Sequence, residues 1–205
     1  MNSPKSKLKV VLAIVLSISL LATGCSAQWI SVALADLPVL VQMALNIGSL
    51  VTTLQSGNQL SAGDAAAIQN ISTEASKDLN LLQTLYNQYN ANPSGDTLQK
   101  IDIAISEINQ NLPALLQAAH VSDPTLSARV AAGVNLILTT VTSFASLIPQ
   151  SAKPQLAPHM SLQKSAGKAI AIPHASDLKK QWNQQVCSST GKAALDTAFS
   201  VCALW

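Results

Sequence analysis

The sequence predicts an all-α protein: a four-helix antiparallel bundle followed by a C-terminal helical hairpin that a disulfide closes. Apolar residues recur at steps of three and four over long stretches, which is the spacing of one face of an α-helix. Turn-forming residues separate these stretches, most clearly at 92–95 and 121–124. Aromatic residues make up only 3% of the chain, so the core has to be built from Leu, Ile, Val and Ala.

The first helix of the bundle is predicted to begin at Asp36-Leu37-Pro38 and to end near Gln55. Residues 37–54 are apolar on nearly every side, and no charged residue lies between Asp36 and Asp64. Such a helix is normally central in a core, because only neighbouring helices can cover its whole surface. The alternative is that this helix contacts a bilayer, an apolar ligand or a partner protein. The core interpretation is preferred, because three amphipathic helices follow and need such a partner.

The second helix is amphipathic from Ser61 to Asn90, and Ser61 with Asp64 resembles a capping box at its start. The steps of three and four between its apolar residues define one face of the helix. That face consists of Ala65, Ile68, Ile71, Ala75, Leu79, Leu82, Leu85 and Tyr89.

The third helix follows the turn at 92–95, and Asp96 or Thr97 can cap its start. Pro113 lies inside its apolar pattern and is expected to kink the helix, since the proline ring removes a hydrogen bond. Its apolar face consists of Leu98, Ile101, Ile105, Ile108, Leu112, Leu115 and Ala119.

The fourth helix has a strong start signal, with Asp123 as N-cap and Pro124 at the first helical position. Pro149 is expected to stop it. Its apolar face consists of Val130, Val134, Ile137, Val141, Phe144 and Ile148. The connections between the four helices are short, so neighbouring helices are predicted to be antiparallel.

Residues 149–174 are predicted to be a linker, because four prolines interrupt them and three lysines occur there without any acid. The C-terminal hairpin then starts at Ser176-Asp177. Residues 188–191 supply its turn, and Gly191 suits the left-handed conformation that ends many helices.

The N-terminus has the pattern of an export signal. Lys5, Lys7 and Lys9 precede an apolar stretch from Val10 to Ala22. A helix of 13 residues is about 20 Å long, which is too short for a hydrocarbon core of about 30 Å. A charged start, a short apolar run and small residues after it are typical of a secretory signal.

The run Leu20-Leu21-Ala22-Thr23-Gly24-Cys25 closes this stretch and resembles the lipobox of bacterial lipoproteins, with Ala22 where the usual motif has Leu. The resemblance implies that Cys25 is the first residue of the mature protein and carries its lipid. Two acyl chains on one cysteine are a stable membrane anchor. Ser26 after the cysteine resembles the sorting signal for the periplasmic face of the outer membrane.

The alternative is an ordinary signal peptide that is cut after Ala27 or Ala35. With the lipobox, the chain divides into a signal peptide (1–24), a helical bundle (25–148), a Pro-rich basic linker (149–174) and the hairpin (175–205).

The three cysteines are Cys25, Cys187 and Cys202. An odd number in an exported protein leaves one thiol to explain, and lipidation of Cys25 leaves the other two to pair in an oxidising compartment. On one unbroken helix, residues 15 apart lie about 22 Å from each other, whereas a disulfide needs Cα atoms within about 7 Å. The chain therefore has to reverse between Cys187 and Cys202. The alternative is two buried free thiols.

The sequence offers little for catalysis, metal binding or nucleic acids. Glu74 and Glu107 are not followed by the histidine that a di-iron bundle motif requires. No nucleophile elbow, phosphate-binding loop, dinucleotide fingerprint or zinc-protease motif occurs. A formal net charge of +2, with charged residues at 11%, disfavours nucleic-acid binding, as does export.

These observations favour a non-catalytic, lipid-anchored cell-envelope protein that is a structural or protein-interaction module, with no cofactor and no metal. Its expected partners are the membrane, through the lipid on Cys25, and an envelope protein. The alternative function is binding of an apolar small molecule or lipid between the helices, which the greasy residues 37–54 suggest. A small hydrolase or inhibitor would need a site assembled from distant residues.

Overall fold

The computed structural model describes residues 4–56, 60–148 and 174–205, with side chains from Trp29 onward except those of Ser56 and Ala194. The predicted linker, up to Pro173, therefore lies outside the described residues. Within these ranges the chain forms helices and no strand, which confirms the prediction of an all-α protein. The helices are α1 (Pro4–Ser56), α2 (Ala62–Ala91), α3 (Gly95–Ala118), α4 (Pro124–Leu147), α5 (Ala175–Gln185) and α6 (Ala193–Ser200).

Helix α1 is longer than the sequence predicts, because it continues through the expected start at residues 36–38. That predicted start is wrong, and Pro38 lies inside the helix. The reason is tertiary packing, since apolar side chains upstream of the start signal are buried in the core. They are Trp29, Ile30 and Ala33. Burial of this extended apolar face outweighs the one hydrogen bond that Pro38 cannot donate.

The start signals of α2 and α4 are confirmed. The Ser61 hydroxyl accepts a hydrogen bond from the Asp64 backbone N–H at 3.0 Å and so caps α2. The Asp123 carboxylate caps α4, because it accepts hydrogen bonds from the N–H groups of Thr125 and Leu126 at 2.8 and 2.9 Å. Each cap satisfies backbone donors that have no partner inside the first helical turn.

The cap of α3 differs from the expectation. Ser94 is the N-cap, and its hydroxyl accepts a hydrogen bond from the Thr97 backbone N–H at 3.1 Å. The predicted caps Asp96 and Thr97 lie inside the helix, where Asp96 still favours the start because an acid interacts well with the positive end of the helix dipole. Helix α3 then runs through Pro113 to Ala118.

Helices α1 to α4 form a closed ring, since α1 and α3 each contact both α2 and α4. Their apolar faces meet in one shared core. The predicted faces of α2, α3 and α4 are buried as expected, except that Tyr89, Leu115 and Ala119 at the ends of α2 and α3 are only partly covered.

Residues 37–54 of α1 lie mainly in the core, in agreement with the preferred interpretation. Six of their side chains are completely buried, namely those of Leu37, Leu40, Met43, Ala44, Ile47 and Leu50. Leu45 is the large apolar side chain of this segment that stays exposed, with half of its surface in contact with solvent.

The C-terminal hairpin packs on α1 and α4. Helix α5 contacts both of them, and α6 contacts α1. Trp182 of α5 is completely buried, and its ring lies so close to Gly133 of α4 that a Cβ atom there would be 2.9 Å from Cζ3 of the indole. The same point is 3.5 Å from Cδ1 of Ile47 in α1. Gly133 therefore lets the tryptophan reach the core between α1 and α4.

We predict that Ile105→Asp strongly destabilises the protein, because Ile105 is 4% exposed and the new carboxylate would have no partner in the core. The free energy of unfolding, measured by urea denaturation followed by circular dichroism, should fall by at least about 3 kcal/mol. Ile103→Asp is the matched control, since Ile103 is on the same helix and 49% exposed. It should change the stability by only about 0.5 kcal/mol. Equal effects of the two substitutions would contradict this assignment of the core face.

Candidate functional site

Two of the three predicted site residues are joined in the structure. Cys187 and Cys202 form a disulfide with their Cα atoms 5.9 Å apart, which confirms the predicted pairing. Trp182 Nε1 and Asn46 Nδ2 each donate a hydrogen bond of 2.9 Å to the carbonyl oxygen of Cys202. Because Asn46 belongs to α1, its hydrogen bond joins the hairpin at Cys202 to the bundle. The third residue, Cys25, has a side chain outside the described part, so its lipidation stays a prediction.

Asp196 of α6 organises the hairpin turn. Gly191 has a φ of +77°, as the sequence predicts for this turn. The Asp196 carboxylate accepts hydrogen bonds from the backbone N–H groups of Thr190 and Gly191 at 2.5 and 3.1 Å. The Ser189 hydroxyl also donates to it at 2.9 Å. These hydrogen bonds, that of the Thr190 amide foremost, lower the pKa of Asp196.

An open cleft of about 480 Å³ lies where the start of α5 meets α1. A second open cleft of about 560 Å³ shares Ala175 and Ser176 with it and extends along α5 to Trp205. Volumes of this size are common for small-molecule sites, although such sites are usually more enclosed. The first cleft is lined by Ser31, Val32, Ala35, Asp36, His174, Ala175 and Ser176.

Asp36 is the buried acid of this cleft, with 1% of its surface exposed. It lies beside the start of α5, whose N-cap residue, His174, makes no side-chain capping bond. Burial raises the pKa of Asp36 to about 6, while the nearby charge of His174 and the backbone N–H of Ala175 lower it less. Oδ2 of Asp36 has no hydrogen-bond partner among the described residues.

Sequence reasoning missed this role of Asp36, because the residue also fits a local start signal for a helix. One signal in the sequence could have found it. Asp36 is the first acid of the chain, and the 27 residues that follow it carry no charge at all. A single acid in such a segment is either exposed or buried beside a segment distant in the chain, and the structure shows the second.

Polar side chains at the other end of the bundle hold helix ends together. The Ser122 backbone N–H and hydroxyl donate to the Asp64 carboxylate at 3.2 and 3.3 Å. Lys192 Nζ lies 2.9 Å from Asp123 Oδ2, and Arg129 donates to a backbone carbonyl at the end of α5 at 2.6 Å. These residues therefore join α2, α4 and the hairpin.

The histidines do not assemble a metal site with other ligands in the described part of the chain. His120 is exposed beyond α3, His174 is exposed in the cleft, and His159 lies outside the described residues. Across residues 4–56, 60–148 and 174–205 no group of three His, Cys, Asp or Glu side chains is arranged to hold an ion.

Four aromatic side chains cluster where α1 meets the ends of α2 and α4. The ring centroid of Trp29 lies 5.6 Å from that of Tyr86 and 5.8 Å from that of Tyr89. Tyr86 in turn lies 6.2 Å from Phe144, nearly edge-on. Burial raises the pKa of the Tyr86 hydroxyl. Trp29 Nε1 and Tyr86 Oη have no hydrogen-bond partner among the described groups, so the cluster is held by packing of its rings.

The class of protein that this geometry defines is an all-α ring of four helices with a disulfide-closed helical hairpin packed on it. No protein family, curated protein or solved structure matches the chain.

We predict that reduction of the Cys187–Cys202 disulfide lowers the free energy of unfolding by about 3 kcal/mol, because the bond spans 15 residues of the chain. Urea denaturation with and without a reductant measures the change. The double variant Cys187→Ser/Cys202→Ser is the control, and it should be destabilised but insensitive to the reductant. Alkylation of the unfolded, unreduced protein should leave both cysteines unlabelled. Labelling of either one would show that the pair is not formed.

We predict that ionised Asp36 destabilises the fold. Its pKa is raised from 3.8 to about 6 in the folded protein, so folding favours the protonated form. The stabilisation by this group is complete below about pH 4 and is lost as the pH rises through about 6, a difference of roughly 2–3 kcal/mol.

Asp36→Asn tests this, since the amide is neutral at every pH and has nearly the same size and shape as the carboxyl group. The gain in unfolding free energy of Asp36→Asn over the wild type should be larger at pH 7.5 than at pH 4.5. Urea denaturation at several pH values measures it, and a gain that does not depend on pH would contradict the prediction.

Proposed function

We propose that the protein is a non-catalytic, lipid-anchored protein of the bacterial cell envelope, attached through Cys25 at the periplasmic face of the outer membrane, where it is a structural or protein-interaction module. The observation that carries this proposal is the Cys187–Cys202 disulfide. It uses both cysteines of the C-terminal hairpin, so that Cys25, at the end of the lipobox-like run, is the one cysteine of the sequence outside this pair. A disulfide also agrees with an oxidising compartment.

The arrangement that we propose for α1 to α4 is an antiparallel four-helix bundle. Contacts between helix ends support it. Trp29 of α1 packs on Tyr86 near the end of α2, and Tyr86 packs on Phe144 near the end of α4. At the other end, Asp64 near the start of α2 bonds to Ser122, just before α4. The chain therefore passes from one end of the bundle to the other along each successive helix.

The polar contacts support an interaction module over an enzyme. The carboxylates of Asp123 and Asp196 cap a helix or hold a turn, and that of Asp64 binds the segment before α4. Side chains used in this way fix the positions of helices. We therefore assign these three acids to the architecture of the module.

The buried residues of α1 favour this function over binding of an apolar ligand between the helices. Leu40, Ile47 and Leu50 are completely buried against other side chains of the core.

The segments Trp29–Gln55 and Pro124–Leu147 are long and apolar enough to cross a bilayer, but only by length and composition, and half of each is buried inside the protein. We therefore treat both segments as core helices and the lipid as the anchor.

We predict that Cys25→Ala releases the protein from the membrane. The full chain and the variant are produced in an export-competent bacterium, and their distribution between membrane and soluble fractions is measured after a high-salt wash. The wild type should stay with the membrane, because two acyl chains bind stably, whereas the variant should be soluble and equally helical. Mass spectrometry of the wild-type N-terminal peptide should show the acylated Cys25. An unmodified N-terminus after Ala27 or Ala35 would refute the proposal.

A further inference from the structure

The lipid anchor of the proposed function would be attached very close to the folded core. Trp29 is the fourth residue after Cys25, and it is only 7% exposed. Four residues span about 6 Å as a helix and at most about 14 Å when fully extended. The chain between the lipid and the core is therefore too short to let the bundle move far from the membrane surface.

Because this tether is short, the end of the molecule that contains Trp29 has to lie near the membrane. Trp29 packs on Tyr86 and Tyr89, in the last turns of α2, and Tyr86 packs on Phe144 in the last turn of α4. We call this region the aromatic end, and it includes the α2–α3 turn at residues 92–94. The opposite region contains the Asp64–Ser122 and Asp123–Lys192 contacts, and we call it the charged end. Helix α2 runs between them, and its 30 residues span about 45 Å.

The aromatic end has a surface that suits phospholipid headgroups. Residues 79–95 and 130–148, which lead to this end along α2 and α4, contain no Asp, Glu, Lys or Arg. The exposed polar groups in the last turns of α2 and at its C-cap are amides, which can donate to phosphate and ester oxygens. They are Asn87, Gln88, Asn90 and Asn92. The charges nearest to this end along α3 are Asp96, Lys100 and Asp102, which leave one net negative charge, and the charge of Asp102 acts on Tyr86. Attraction to charged lipids is therefore not needed, because the tether supplies the attachment.

The exposed side of α1 is the competing surface, since it also lacks charge. It consists of Ser31, Ala35, Pro38, Gln42, Leu45, Ser49, Thr52 and Gln55. A helix that lies in the plane of a bilayer interface needs several large apolar side chains, usually with Lys or Arg beside them. This surface has Leu45 as its one large apolar residue and has no basic residue. It does not fit that role.

We propose that the aromatic end rests on the phospholipid headgroup layer and that the bundle stands end-on, with its charged end directed into the aqueous compartment. This inference rests on the proposed lipidation of Cys25. It identifies the bilayer surface as the partner of the aromatic end, and it leaves the charged end and the hairpin for other partners.

The test uses the full lipidated protein in phospholipid vesicles, with a photo-crosslinking amino acid at one of three exposed positions. Asn92 lies at the aromatic end, Leu45 lies on the exposed side of α1, and His120 lies near the charged end. The yield of protein–lipid adducts should be highest at position 92. It should be at least roughly tenfold lower at position 120, because α3, whose 24 residues span about 36 Å, lies between the two positions. The pattern should not change when salt is added.

Equal adduct yields at positions 92 and 120 would overturn the end-on arrangement, and a maximum at position 45 would show that the molecule lies on α1 instead. The Cys25→Ala version of each labelled protein is the control, and it should form no lipid adducts. Mass spectrometry of the N-terminal peptide separates the two proposals. Protein without a lipid on Cys25 would refute the proposed function and this inference together, whereas lipidated protein with the wrong adduct pattern would refute only this inference.

Discussion

The burial of α1 is the constraint on which the rest of the structure depends. Most of the large apolar side chains of residues 37–54 are buried, and the helix contacts α2, α4, α5 and α6. Each large apolar side chain that it buries contributes about 1.5–3 kcal/mol. Three amphipathic helices cover only part of this helix, and the hairpin covers another part. Trp182 of the hairpin packs beside Ile47, at the place where α4 has Gly133.

The periodicity of the sequence predicts the faces of α2, α3 and α4 correctly, because the spacing of apolar residues along one helix is a local property. It fails at the start of α1, where Trp29 gains enough burial to keep the helix intact through Pro38. It also fails for Asp36, because the residues beside it at the start of α5 are far away in the chain. The pairing of Cys187 with Cys202 could be predicted, because the chain has three cysteines and the lipobox-like run accounts for Cys25. The clefts beside α5 could not, since their walls come from segments that are distant in sequence.

Three of the acids of this protein hold helices and turns in place. Asp123 caps α4 and also binds Lys192 beyond the hairpin turn. Asp64 connects the start of α2 to the segment before α4, and the Asp196 carboxylate accepts hydrogen bonds from the turn that precedes α6. In a chain with 11% charged residues, uncharged amides and hydroxyls cover much of the remaining surface. Such a surface interacts only weakly with other charged molecules, so its contacts depend on shape and hydrogen bonding more than on long-range attraction.

The placement of the three tryptophans has a spectroscopic consequence. Trp29 lies in the aromatic cluster with 7% of its surface exposed, Trp182 is completely buried beneath the hairpin, and Trp205 is 96% exposed. Indole emission shifts to longer wavelength in water, so the three residues emit from three distinct environments. The chain therefore contains its own fluorescent reporters: Trp29 reports on the end nearest Cys25, Trp182 on the docking of the hairpin, and Trp205 on whatever binds beside α5.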